Sequence, residues 1–178
     1  MHPLDVKDAL DSLVILLDTR EQDTGRLRTR LMQTGRPFER KKLDFGDYSA
    51  KVLLPSDIWH DFSKEVVIER KMSIDELCQC YTRDRPRFER EFERAQGAGA
   101  KIYLLVENAS WEMVYAGKYR SQMTSPALVA SVLAWLARYE CQVIFCKAET
   151  SGYLIRDILY REVKERLLRF NENDESGD

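Results

Sequence analysis

The stretch Val66-Val67-Ile68-Glu69-Arg70-Lys71 is the part of the sequence around which the rest is best interpreted. Its three apolar residues are typical of a strand that enters a buried sheet. Alternate side chains of a strand share a face, so Glu69 and Lys71 point the same way, about 7 Å apart along the chain. A carboxylate can hold a divalent cation and an ammonium can hold a phosphate, which hydrolysis of a phosphodiester requires. The alternative is an inert, solvated ion pair at a strand end.

The length and composition of the chain are those of one globular domain. It has 178 residues, 44% of them hydrophobic and 33% charged, which leaves room for a sizeable core. The longest apolar run, residues 127–137, is too short to cross a bilayer, so we expect no membrane contact. The first residues lack the basic segment and the apolar segment of a secretory signal peptide, which predicts an intracellular protein.

Charge and residue counts exclude several kinds of chemistry. The net charge is −2 and the pI about 5.8, so binding of nucleic acid would need a local basic patch. The four cysteines have C-x-C and C-x4-C spacing, which does not fit a zinc site. We expect free thiols, several of them buried. The only histidines are His2 and His60, so catalysis would depend on carboxylates and lysine.

Hydrophobic patterning predicts one α/β domain with a mixed central sheet and helices on both faces. Residues 1–12 are expected to be a polar lead-in, 13–170 the domain, and 171–178 a disordered acidic tail. Predicted strands cover residues 13–17, 38–43, 48–54, 66–71, 101–107 and 142–146, with the second and third forming a hairpin. Predicted helices cover about 23–33, 73–81, 87–96, 111–116, 125–139 and 151–170.

Acidic residues follow or separate the predicted strands in three places: Asp18 with Glu21, Asp47, and Glu69. Strand-end positions of an open α/β sheet can converge on one cleft. Carboxylates that converge repel one another unless a cation lies among them, and Mg²⁺ prefers one or two carboxylates with waters and phosphate oxygens. The alternative is that these charges only mark where strands reach the surface.

Three motifs occur in order along the chain: Asp18-Thr19-Arg20-Glu21, Gly46-Asp47-Tyr48, and the segment Glu69-Arg70-Lys71-Met72-Ser73-Ile74-Asp75. They resemble the D-x-R-E, G-D-Y and E-R-K-x-x-x-D signature of the XPF-type structure-specific nucleases. That family belongs to the PD-(D/E)XK group. The resemblance covers most of residues 13–168. It implies a restriction-endonuclease-like fold.

The resemblance also implies an activity: cutting of one DNA strand near a branch, dependent on Mg²⁺ or Mn²⁺, in repair or recombination. Asp47 and Glu69 would be the principal metal ligands, and Lys71 would orient the attacking water or steady the scissile phosphate. Asp18 and Glu21 would complete the acidic cluster, directly or through water.

Three further residues of the motifs have expected roles. Arg20 and Arg70 would position the acidic side chains or phosphate oxygens. Asp75 lies in the first turn of a helix capped by Ser73, where an acid is favoured by the helix dipole. We favour a supporting role for Asp75, such as pairing with Arg70 or Lys71, over direct contact with the metal.

Family members commonly carry a helix-hairpin-helix or helicase domain, and neither occurs in this sequence. The grip on branched DNA is therefore expected from a homodimer or a heterodimer formed through the nuclease domain. The helical stripe of Ile155, Leu159, Val163 and Leu167 could serve that contact or pack in the core. We expect a cytoplasmic protein if the source is bacterial or a phage, and a nuclear one if it is eukaryotic.

The candidate DNA-binding residues are Arg20, Arg83 and Arg85, the last two because they follow the helix of the last motif. Arginine contacts to phosphate position a duplex without reading its sequence. The alternative is a solvated surface neutralised by Asp84, Glu89 and Glu91. Two other functions fit the same fold: a non-catalytic DNA-binding partner subunit, and a less selective restriction or degradative nuclease.

Overall fold

The structure, a computed structural model, describes residues 2–170. Its helices are α1 (Pro3–Asp11), α2 (Gly25–Thr34), α3 (Ile74–Tyr81), α4 (Arg85–Gly97), α5 (Trp111–Tyr115), α6 (Ser125–Tyr139) and α7 (Ala148–Arg169). Its strands are β1 (Val14–Asp18), β2 (Phe38–Lys41), β3 (Tyr48–Leu53), β4 (Trp59–Asp61), β5 (Val66–Lys71), β6 (Lys101–Glu107) and β7 (Gln142–Cys146). In this part of the chain no helix combines the length and apolarity needed to cross a bilayer.

The strands form one mixed sheet in the order β2-β1-β3-β5-β6-β7, with β4 paired to β3. Strand β3 runs antiparallel to both β1 and β5, whereas β5, β6 and β7 are parallel to one another. The predicted mixed α/β sheet is confirmed.

The predicted hairpin of the second and third strands is wrong, because β1 lies between them. Strand β2 pairs in parallel with β1, and β3 pairs with the other edge of β1. The physical reason is burial: Ile15, Leu16 and Leu17 are all fully buried. A strand buried on both faces is typical of a sheet interior, where it has a neighbour on each side. The charged residues of β2 are all exposed, which suits an edge strand.

Alternate residues of β5 face two different layers of helices. Val66 and Ile68 pack in a cluster that includes residues of α1, α2 and α7, whereas Val67 packs with residues of α3, α4 and α6. Glu69 and Lys71 therefore lie on the α3/α4 face, and Arg70 lies on the α2/α7 face. This alternation separates the members of the E-R-K motif into two groups with different surroundings.

Helix α1 belongs to the packed domain, whereas the sequence predicted a polar lead-in over residues 1–12. Val6, Ala9 and Leu10 are buried in the core. Two further differences are local: β4 forms where a loop was expected, and α4 begins at Arg85, so the basic connector is shorter. The acidic tail predicted for residues 171–178 lies outside the described residues.

The apolar stripe of α7 packs in the core. Ile155, Leu159, Val163 and Leu167 are fully buried against the sheet, α1 and α2. These side chains are therefore not available to a second copy of the chain, and an interface would have to use another surface. The four cysteines are free, and three of them are buried.

Candidate active site

The mixed topology brings the three motifs to the same end of the sheet, where β1 and β5 end and β3 begins. The first residue of β3, Tyr48, pairs with Leu17 of β1 on one side and with Ile68 of β5 on the other. Because β3 runs against both neighbours, its start lies between their carboxyl ends. Asp47, which directly precedes β3, is thereby placed between the end of β1 and Glu69.

Asp47 is fixed by main-chain hydrogen bonds on both sides. Its N–H donates to Ile68 O (2.8 Å), and its carbonyl oxygen accepts from Asp18 N (2.9 Å). Its Oδ2 atom accepts from Arg70 N at 2.8 Å. Burial and the neighbouring Glu69 carboxylate raise the pKa of Asp47 well above its ordinary value. The site thus holds a carboxylate that a nearby positive charge would stabilise in its ionised form.

Glu69 and Lys71 share the α3/α4 face, as the strand pattern predicted. Lys71 Nζ lies 2.5 Å from Glu69 Oε1, and both residues are buried, with 8% and 4% of their surface exposed. Burial alone would lower the pKa of Lys71, but the combined effect of Glu69, Cys80 and Asp47 outweighs burial and raises that pKa. The pair is therefore not the solvated strand-end pair of the alternative interpretation.

The second oxygen of Glu69 has no such partner. Within residues 2–170, Glu69 Oε2 is buried and accepts no hydrogen bond. Buried carboxylate oxygens are normally satisfied, and an exception calls for an explanation such as a ligand or catalytic role. A divalent cation held by Glu69 Oε2 and Asp47 would provide one.

The donor set fits such a cation only in part. Two carboxylates match what Mg²⁺ takes from a protein, with water and phosphate oxygens completing its octahedron. In the part of the chain that is described, no three acidic, histidine or cysteine side chains stand close enough to form a ready-made metal cluster. Asp47 and Glu69 are thus the pair that the structure favours as ligands.

Arg70 belongs to a separate buried network on the opposite face. Its Nη1 lies 3.2 Å from Glu107 Oε2, and Glu107 Oε1 accepts from Arg30 Nε at 3.0 Å. Arg30 also donates to the Tyr48 hydroxyl at 3.0 Å, and Glu21 lies 4.0 Å from Arg70. These contacts tie α2 and β6 to the site and hold the Arg70 backbone that donates to Asp47.

Asp18 is almost fully buried and its carboxylate is held by three protein donors. Oδ1 accepts from the N–H and Nε of Arg20 at 2.8 and 2.6 Å, and Oδ2 accepts from Leu43 N at 2.8 Å. Burial would raise the pKa of Asp18, but these hydrogen bonds outweigh it and lower the pKa. This geometry gives Asp18 a structural task, with Arg20 as its partner, and its metal contact stays a prediction.

Asp75 does not pair with Arg70 or Lys71, so that expectation is wrong. Its Oδ1 accepts from the N–H groups of Arg120 and Ser121, both at 2.8 Å. The Asp75 carboxylate thus contacts the loop between α5 and α6. It holds that loop, and a supporting role for Asp75 in the site stays a prediction.

Arg83 and Arg85 lie at the surface, near the start of α4. Arg85 Nε is 3.3 Å from Glu89, and its guanidinium lies 5.6 Å from the centre of the Trp135 ring. Arg83 Nε is 3.7 Å from Asp84. Exposed pairs of this kind are weak and exchange readily with a phosphate. The DNA-binding role of both arginines stays a prediction.

Three residues near the site were not identified from the sequence: Arg30, Glu91 and Glu107. Glu107 ends a predicted strand, so the rule that singled out Asp18 and Glu69 could have found it. Glu91 was counted only as a neutralising surface charge, but its Oε1 accepts from Gly46 N at 2.9 Å. No local spacing links Glu91 or Arg30 to the motifs, because both arrive through tertiary packing.

A family model described as the ERCC4 domain matches residues 17–156. The chain belongs to the ERCC4 domain family. The matched range contains all three motifs and every residue of the site described above, which confirms the XPF-type resemblance. A comparison of the sequence with curated proteins finds no match.

Solved structures share the fold of this ERCC4 domain. XPF from Aeropyrum pernix matches with a TM-score of 0.58 and 18% identity over 82% of this chain and 59% of that one. XPF from Aeropyrum pernix in complex with DNA matches with a TM-score of 0.59 and 19% identity over 86% of this chain and 66% of that one. The chain thus spans about three-fifths to two-thirds of those proteins.

Proposed function

We propose that this ERCC4-domain chain is an endonuclease that cuts one strand of branched DNA with Mg²⁺ or Mn²⁺. The observation that carries the proposal is the arrangement of Asp47, Glu69 and Lys71. The three side chains lie at the same end of the sheet, and Lys71 contacts one oxygen of Glu69. The other oxygen of Glu69 is buried and has no partner among the residues that the structure describes.

The residues have separable tasks in this proposal. Asp47 and Glu69 would hold the cation, which would supply stabilisation of charge on the phosphate and a more acidic water. Lys71 neutralises Glu69 and offers a fixed ammonium to a phosphate oxygen, so it contributes electrostatic stabilisation without reorganisation. Arg70 holds Asp47 through its main-chain N–H, and its side chain is anchored by Glu107.

DNA would approach along the surface that carries Arg83, Arg85 and the loop held by Asp75. The support is proximity: α3, which begins right after the E-R-K motif, is followed directly by α4, which begins at Arg85. A second copy of the chain or a different subunit would supply further grip. Preference for branched over linear DNA and a role in repair or recombination belong to the proposal as well.

A cleavage assay tests the proposal. The protein would be mixed with end-labelled linear duplex, splayed arm, 3′ flap and four-way junction, in Mg²⁺, Mn²⁺ or EDTA. Asp47→Asn is the test variant, and Asp157→Asn is the control because Asp157 is exposed and pairs with its neighbour Arg156. We expect metal-dependent cutting of branched DNA that is lost in Asp47→Asn and kept in Asp157→Asn.

Other results would contradict the proposal in distinct ways. Equal cutting of linear duplex would indicate a degradative nuclease. Binding of branched DNA without cutting under any metal would indicate a non-catalytic partner subunit. Cutting that survives Asp47→Asn would place the reaction elsewhere on the chain.

A further inference from the structure

Helix α4 grips the loop that carries Asp47 at three points. Arg94 Nε donates to the carbonyl oxygen of Asp44 at 3.2 Å. Phe45 is buried in the same apolar cluster as the inward-facing residues of α4. Glu91 Oε1 accepts from the N–H of Gly46 at 2.9 Å. The helix that begins at Arg85, a candidate DNA-binding residue, thus also holds the loop before β3.

The Gly46 contact is the one of the three that adjoins the site. Gly46 is buried and has φ +71°, a left-handed conformation that favours glycine. Its N–H points away from the sheet, whereas Asp47 bonds to β1 and β5 on both sides. Glu91 therefore supplies the acceptor for a buried donor that would otherwise have none, and such an unpaired donor is costly.

Glu91 also lies on the side of the sheet where Glu69 and Lys71 point. Both α4 and these two residues belong to the α3/α4 face, and Lys71 Nζ lies 5.3 Å from the centre of the Phe88 ring of α4. Burial and the charge of Glu69 raise the pKa of Glu91. Glu91 could therefore act on the site in two different ways, through its negative charge or through its hydrogen bond to Gly46.

We infer that Glu91 is a positioning residue of the candidate active site. Its hydrogen bond to Gly46 fixes the turn before Asp47, and so sets the place of Asp47 relative to Glu69. This inference rests on the proposed function, because it assigns a task within that site. It requires an acceptor oxygen at position 91 and does not require a negative charge there.

Two substitutions separate the hydrogen bond from the charge. Glu91→Gln keeps an acceptor oxygen at nearly the same place and removes the charge, whereas Glu91→Ala removes both. Glu93→Ala is the matched control, because Glu93 is an exposed glutamate of the same helix. Affinity for Mn²⁺ would be measured by calorimetry on the full chain, with hydrogen exchange of residues 44–48 as the readout of the turn.

We expect Glu91→Ala to speed amide exchange at Gly46 and to weaken Mn²⁺ binding at least tenfold, since groups that orient metal ligands have effects of about 10- to 100-fold. Glu91→Gln should stay within about threefold of the wild-type affinity, and Glu93→Ala should match wild type. In the cleavage assay with Mn²⁺ at a saturating concentration for each variant, Glu91→Ala should lower kcat while the Kd for DNA is unchanged.

Three outcomes would overturn the inference. Glu91→Gln as defective as Glu91→Ala would show that the charge matters instead. If Glu91→Ala behaved like Glu93→Ala, Glu91 would have no positioning role. If the wild-type chain bound no Mn²⁺, there would be no metal site for Glu91 to position. If wild type binds Mn²⁺ but cuts no DNA, while the Glu91 variants still differ as expected, the proposed function fails and the positioning role stands.

Discussion

Replacing Gly46 by alanine should destabilise the domain through two separate effects. The backbone at Gly46 has φ +71°, which costs an L-residue about 1–2 kcal/mol. A Cβ atom there would also lie 2.7 Å from Val67 Cβ and 2.9 Å from Val67 Cγ2. Val67 is fully buried in β5, so neither atom can move aside without shifting the strand that carries Glu69.

Two other glycines serve as controls: Gly35 has the positive φ alone, and Gly25 has neither effect. Gly35 also has a positive φ, +58°, but a Cβ added there would meet nothing within 4 Å, and the same holds for Gly25 without the positive φ. Overpacking of a filled core costs about 1–3 kcal/mol, and alanine recovers about 0.4–1 kcal/mol by restricting the unfolded chain. We expect losses of about 2–4 kcal/mol for Gly46→Ala and about 1 kcal/mol for Gly35→Ala, and a gain of about 0.4–1 kcal/mol for Gly25→Ala.

Urea denaturation followed by circular dichroism measures all three free energies of unfolding. The midpoint should fall for Gly46→Ala without a change in the denaturant slope, because the surface exposed on unfolding stays nearly the same. A Gly46→Ala protein no less stable than Gly35→Ala would refute the reasoning, since the overlap with Val67 would then have no cost. Metal binding by the folded variant should fall as well, because the turn carries Asp47.

Three further expectations concern packing, charge and pH. Gly152→Ala should lose about 2–4 kcal/mol in thermal unfolding, because a Cβ on α7 would overlap the Arg30 carbonyl oxygen of α2; an unchanged Tm would contradict this. Lys71→Met should lose about 3 kcal/mol by leaving Glu69 buried and unpaired; adding Glu69→Gln should restore most of it, and a double variant as unstable as the single would refute this. Burial would raise the pKa of Glu162, but hydrogen bonds from lysine, tyrosine and arginine side chains outweigh it and lower that pKa to about 2. The resulting stability is complete above the unfolded pKa near 4.5 and is lost as pH falls towards 2, so urea titrations of Glu162→Gln should show a shallower loss over that window than wild type.

The sequence predicted which acidic residues lie close together where the signal was a strand end. Asp18, Asp47 and Glu69 each adjoin a strand whose apolar run is easy to recognise, and an open α/β sheet gathers such ends. The alternation of side chains in β5 correctly placed Glu69 with Lys71. The alternation follows from the backbone geometry of a single strand, so it can be applied without knowing the neighbouring strands.

Strand order and helix contacts were beyond the same rules. Residues 38–43 and 48–54 are close in sequence, which favoured a hairpin, but the fully buried run of β1 takes the place between them. The contact of Glu91 with Gly46 joins residues 45 positions apart. Asp75 likewise meets the loop at Arg120, 45 positions away. Such contacts depend on how the helices pack against the rest of the domain. The hydrophobic periodicity of a single segment therefore cannot predict them.

The proposed binding of DNA by a protein with a net negative charge depends on how the charges are distributed around the site. The chain carries a net charge of −2, and the centre of the site places Asp47 and Glu69 beside a single ammonium, that of Lys71. A centre of this kind repels phosphate, whereas the exposed guanidinium groups of Arg83 and Arg85 attract it. A divalent cation at the two carboxylates would reverse the sign of the centre, so cation and DNA should each raise the affinity for the other, as linkage requires. Without metal, Arg83 and Arg85 alone would hold DNA weakly. The carboxylates and Lys71 would engage the scissile phosphate only when the cation is bound.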